Sequence, residues 1–208
     1  MSEIGHVRPL LVIFMPCACH GGRAKDSVKH SLQLSVAIDL NDIYPTMAIP
    51  EGTTVATLRD TLCAETTPLA KRFRALFSLK HVASAHPPTS QTVPAIEAIA
   101  AAFASPSALL KHELAYCLGQ TRNDAAVPHL TKVLEDKEED PMCRHEAAEA
   151  LGALGDQGSL PLLRRLRDDD SEEVVVKETC EIAIERVEWE HDAARRTGEQ
   201  LKQRYTNL

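Results

Sequence analysis

Lys111-His-Glu-Leu-Ala-Tyr-Cys-Leu-Gly-Gln120 and Arg144-His-Glu-Ala-Ala-Glu-Ala-Leu-Gly-Ala153 align without a gap, and the step from His112 to His145 is 33 residues. Two weaker copies flank them. Phe73 to Leu79 lies upstream, and Lys177 to Ala183 begins 32 residues beyond His145. The 39 residues from Phe73 to His112 absorb an insertion around His86-Pro-Pro-Thr-Ser90. Four units result, each long enough for two short helices and two turns. Self-similarity at such a period marks a repeat architecture.

Working outward, each unit reads as a helical hairpin. Its first helix shows apolar residues at helical spacing: Val55, Leu58 and Leu62; Val93, Ile96, Ile99 and Phe103; Val127, Leu130, Val133 and Leu134; Leu160, Leu162, Leu163 and Leu166. Thr67-Pro68, Ser105-Pro106 and Asp140-Pro141 recur between helices as an N-cap oxygen followed by a proline that starts the next helix. Gly119, Gly152 and Gly155 fall where second helices should end, a place for left-handed backbone. A single hairpin cannot bury its apolar face, but stacked hairpins can. The expected fold is therefore all-α: an α-solenoid of about four HEAT-like helical hairpin repeats, spanning about 52–190.

Composition agrees. The chain has 208 residues, 44% hydrophobic, 25% charged and only 4% aromatic. Low aromatic content with abundant Ala and Leu favours helices over a β-sandwich or barrel. A net charge of −7 argues against nucleic acid, whose phosphates need a basic face. No apolar run is long enough for a transmembrane helix, so no membrane association is expected. Cysteines at 17, 19, 63, 117, 143 and 180 are scattered and read as reduced thiols of a cytoplasmic protein. Cys17-x-Cys19-His20 lacks a second ligand pair at zinc spacing. The acidic runs Glu135–Asp140 and Asp168–Asp170, with Glu172 and Glu173, read as solvated turn residues. Cys117, Cys143 and Cys180 read as packing residues, and Trp189 with Val187 as a cover for the last core.

Residues 1–46 share none of this regularity and are expected to be an irregular leader or extension, with a targeting segment as the competing reading. The repeat domain is placed at 47–190, with the folded protein beginning near Met47. Residues 191–208 are a polar tail, read as either a helical extension or a linker.

The repeated dipeptides carry the chemistry. Stacking sets His112 beside His145 on one face and Glu113 beside Glu146 in an adjoining row, because adjacent helical residues diverge by about 100°. Two imidazoles and two carboxylates form a plausible N/O site for iron, manganese or zinc. The other reading is structural, as hydrogen bonds between repeats. In the outer units the same slots hold Phe73-Arg74 and Lys177-Glu178, and a requirement of the repeat itself should not skip half the units.

At these residues the sequence resembles deoxyhypusine hydroxylase. The likeness runs through Arg72–Phe77, Ser107–Gln120, Pro141–Ala153 and Glu178–Trp189. The resemblance implies a HEAT-repeat dyad holding a di-iron centre. It implies a monooxygenase that hydroxylates the deoxyhypusine side chain of translation initiation factor 5A. Carried over, His112 and His145 would ligate iron. Glu113 would reach an iron held by the other half. Glu146, also in the metal set, would act catalytically by holding the substrate amine. The family has four His-Glu pairs in two halves, and this chain resembles the N-terminal half. A homodimer would restore four pairs. The alternative is a non-catalytic HEAT-repeat scaffold that binds a basic protein partner.

Overall fold

A computed structural model describes residues 52–206, with side chains through residue 192. Eight α-helices follow one another: α1 (Val55–Cys63), α2 (Leu69–Ala83), α3 (Thr92–Ala100), α4 (Ala108–Gln120), α5 (Val127–Glu135), α6 (Pro141–Leu154), α7 (Leu160–Arg167) and α8 (Val174–Thr206). Short 3₁₀ turns at Ala101–Ala104, Asp124–Ala126 and Gln157–Ser159 link several of them, and no strand occurs among the described residues. The helices pair into four hairpins, and the fold is an all-α solenoid. The expectations for the leader lie outside the described residues. The polar stretch after His191 continues α8 as helix to Thr206.

The core runs along the seam between first and second helices. Leu62, Ile96, Ile99, Leu130, Leu134 and Leu163 from the first helices are fully buried. They meet Leu76, Leu114, Leu118 and Leu151 from the second. Cys117, Cys143 and Cys180 are buried packing residues, as their positions suggested. Val187 is buried, but Trp189 is 66% exposed and stands largely in solvent. Two residues apart on a helix, the pair diverges by about 200°, so both cannot face one core.

The second helices stack directly, α4 on α6 and α6 on α8. This explains the glycines. Only Gly155 is a left-handed cap, at φ +71°. Gly119 and Gly152 lie in the last turns of their helices, as placed, but in helical backbone rather than the left-handed backbone expected there. A Cβ on Gly119 would sit 2.8 Å from Ala150 Cβ, and one on Gly152 would sit 2.9 Å from Ala183 Cβ. These glycines permit close approach of helices rather than a turn.

The proline signals also divide. Asp140 caps α6, accepting from the Met142 N–H, with Pro141 in the first turn. For α4 the cap is Ser107, one residue beyond Pro106, accepting from Leu110 N–H. For α2 Pro68 itself stands at the cap without a side-chain bond.

Buried arginines lock the first and third hairpins. Arg144 donates from Nε to the Leu134 carbonyl at 3.0 Å and from both terminal nitrogens to Glu172. Arg72 repeats the device with Leu62 and Glu65. Both satisfy a carbonyl that the preceding helix leaves open at its C-terminus. The acidic runs are thus less solvated than expected. Glu172 is buried on Arg144, Glu139 binds Lys111, and Asp169 binds Lys137.

Candidate metal centre

His112 and Glu113 lie on α4, and His145 and Glu146 lie at the corresponding positions of α6. Because Gly119 lets α4 close on Ala150 of α6, the two imidazoles come together, with ring centroids 6.3 Å apart. Arg144, fixed by Leu134 and Glu172, sets the rotation of α6 immediately before His145.

The two carboxylates are not equivalent. Glu146 is buried, its side chain only 7% exposed, and its Oε2 lies 3.2 Å from His112 Nε2 and 4.0 Å from His145 Nε2. Glu113 is 26% exposed and stands 3.8 Å from His112 Nδ1. Donor atoms of His112, His145 and Glu146 all fall within 4.8 Å of one another. Glu113 stands beside this group.

The two histidines are also prepared differently. Glu113 and then Glu146 raise the His112 pKa to about 10, against the opposing effect of burial. At 3.8 Å Glu113 acts as a neighbouring charge, while Glu146 is within hydrogen-bond reach. Both carboxylates therefore favour the charged form of His112. His145 instead meets Thr179 of α8, with Nδ1 2.8 Å from the hydroxyl oxygen.

Around this group, Tyr116 is partly buried, with Lys80 Nζ 5.9 Å from its ring centroid. Burial raises the phenol above its ordinary pKa, helped by nearby Glu113, Glu146 and Glu149. Burial also pushes Cys143 and Cys180 up to about 12 and Cys117 higher still. These thiols stay protonated and supply no thiolate ligand.

Thr179 was missed by the sequence reading because the last repeat was placed one residue off. Gly119 packs on Ala150 and Gly152 on Ala183, so the register between α6 and α8 is again 33. Glu178 then occupies the His slot and Thr179 the Glu slot, not Lys177 and Glu178. The steady step of the two central units could have revealed this.

HEAT repeats match over residues 95–184. A deoxyhypusine hydroxylase of Coccidioides immitis is 73% identical over 146 residues, covering 70% of this chain and 43% of its own length. One of Neurospora crassa is 66% identical over 150 residues, covering 72% and 46%. By sequence and fold the chain is similar to part of these deoxyhypusine hydroxylases. It spans about half the length of the relatives it matches. The solved structure of human deoxyhypusine hydroxylase in complex with glycerol superimposes with a TM-score of 0.60 and 44% identity, over 67% of this chain and 45% of that one. The paired His-Glu helices lie within the HEAT-repeat stretch.

Proposed function

We propose that this chain carries one metal-binding half of a deoxyhypusine hydroxylase, an iron- and O2-dependent monooxygenase. Its substrate is the deoxyhypusine side chain of translation initiation factor 5A, and its compartment is the reducing cytoplasm. The observation that carries the reading is the convergence of His112, His145 and Glu146 in a chain 62–73% identical to hydroxylases of that name. Free Cys63, Cys117, Cys143 and Cys180 support the compartment. Among the described residues no helix is long and apolar enough to cross a membrane.

The donor set fits iron. Two neutral imidazoles and one carboxylate leave coordination positions open, the arrangement favoured by non-haem Fe(II) oxygenases. When bound, the iron supplies the dioxygen chemistry that no side chain performs. His112, His145 and Glu146 would hold it. Burial of Glu146 keeps water from competing for its oxygen and strengthens its attraction for a cation. To serve, His112 gives up the proton that Glu113 and Glu146 stabilise.

The resemblance assigns Glu146 a second role, holding the substrate amine. Its position between the imidazoles supports the ligand role. The more exposed Glu113 is the carboxylate better placed to reach a metal on a facing half. One chain supplies one such triad, and a symmetric pair of chains supplies two.

The test is elemental analysis with molar mass in solution, on protein purified reduced and iron-replete. The expected result is two irons per dimer, lost in His112→Ala. Metal-free protein in every preparation refutes the site and leaves a HEAT-repeat scaffold.

A further inference from the structure

A neutral histidine can bind a metal through only one ring nitrogen, and the proton must sit on the other. In this chain α8 decides which. The Thr179 hydroxyl donates to the Val175 carbonyl at 2.7 Å, the i−4 bond common for threonine within helices. It has one proton, and that bond uses it. Towards His145 Nδ1, 2.8 Å away, the same oxygen can then only accept. The ring must therefore carry its proton on Nδ1. Nε2, the nitrogen facing Glu146 Oε2, is left with its lone pair open.

We propose that Thr179 is a positioning residue: it fixes the tautomer and the ring plane of His145 so that Nε2 is ready for a metal. The inference rests on the metal reading of the site. Thr179 is 9% exposed, so water competes little for the hydroxyl. It stands one repeat step beyond Glu146. The row of chemistry-bearing slots therefore ends on a residue that orients a ligand. His112 differs: its two nitrogens face carboxylates, Glu113 at 3.8 Å and Glu146 at 3.2 Å, rather than a hydroxyl. Partners of this kind commonly change metal affinity by about 10–100-fold.

Two substitutions separate the bond from the bulk. Thr179→Val keeps the shape and removes the acceptor. Thr179→Ser keeps the hydroxyl. The first readout needs no metal: ¹⁵N NMR of the histidine rings in metal-free protein at pH 8, with the His145 signals assigned by their loss in His145→Gln. The expected result is protonated Nδ1 and bare Nε2 in the wild type and in Thr179→Ser, and a mixture of tautomers in Thr179→Val. The second readout is anaerobic Fe(II) titration, with affinity about 10–100-fold weaker in Thr179→Val and restored in Thr179→Ser. A wild-type ring protonated on Nε2, or a Thr179→Val protein with unchanged tautomer and affinity, overturns the proposal. If the tautomer responds to Thr179→Val but the wild type takes no iron, the metal reading fails while control of the ring by Thr179 stands.

Discussion

Gly119→Ala tests whether the closeness of α4 and α6 is what assembles the site. The new Cβ would lie 2.8 Å from Ala150 Cβ and 2.9 Å from Ala150 Cα, below the 3.0 Å that real Cβ atoms respect. Comfortable carbon contacts need about 3.5–4.0 Å. Ala150 has no rotamer with which to yield, so the two helices must part by several tenths of an ångström or more. Overpacking of this kind costs about 1–3 kcal/mol. The gain in helix propensity from Gly to Ala offsets about 1 kcal/mol. The net expectation is a loss of about 0–2 kcal/mol, where a free helix would gain. His112 sits two turns before Gly119 on nearly the same face, so the parting also widens the gap to His145. Iron affinity should fall with stability. Urea unfolding followed by circular dichroism, on Gly119→Ala, Ala150→Gly and the double variant, isolates the contact. The double variant removes the Cβ contact but keeps the one to the residue 150 Cα, so it should recover part of the loss, with a coupling of about 0.5–1 kcal/mol in its favour. A Gly119→Ala protein stabilised by the full propensity gain, with no coupling to Ala150, would refute the close-approach argument.

Glu172→Ala should cost about 3–5 kcal/mol, because it strands the buried Arg144 charge; equilibrium unfolding measures it. The Arg144 hydrogen bonds hold the Glu172 carboxyl below its ordinary pKa of 4.5, against the cost of burial. Its contribution is therefore fully present above that value and is lost as pH falls through the lowered one, so the variant should show a shallower acid limb in stability against pH. Iron binding should release a proton from His112, whose pKa stands at about 10 in the metal-free chain. Calorimetry at pH 7.5 in buffers of different ionisation enthalpy should give different apparent heats. Identical heats would show that His112 enters the site already neutral.

The fold, and the meeting of His112, His145 and Glu146 on one face, were legible in the sequence because both depend on the repeat, and a repeat is visible without coordinates. Leu130, Val133 and Leu134 announce a buried face by spacing alone. What depends on the meeting of two helices was harder to read. Gly119 and Gly152 look like terminators, since glycine at the end of a helical pattern is ordinarily a cap. Only the approach of Ala150 and Ala183 shows that they are contact points. Arg144 and Glu172 are 28 residues apart, so no local pattern joins them, and Glu172 passes for one more acid in a solvated run.

The difference between the two His-Glu pairs follows the same logic. Identical dipeptides one repeat apart suggest identical roles, but each second helix packs between its neighbours, and those neighbours differ. His112 has both carboxylates around it, so it is held charged. His145 instead faces α8, where the Thr179 hydroxyl stands 2.8 Å from its Nδ1. Placing the last repeat one residue early turns its helix face by about 100° and moves Thr179 away from the site, which is why the spacing of the dipeptides alone did not find it. In a solenoid the repeat sets which side chains share a face, but the repeats on either side set what each of them meets.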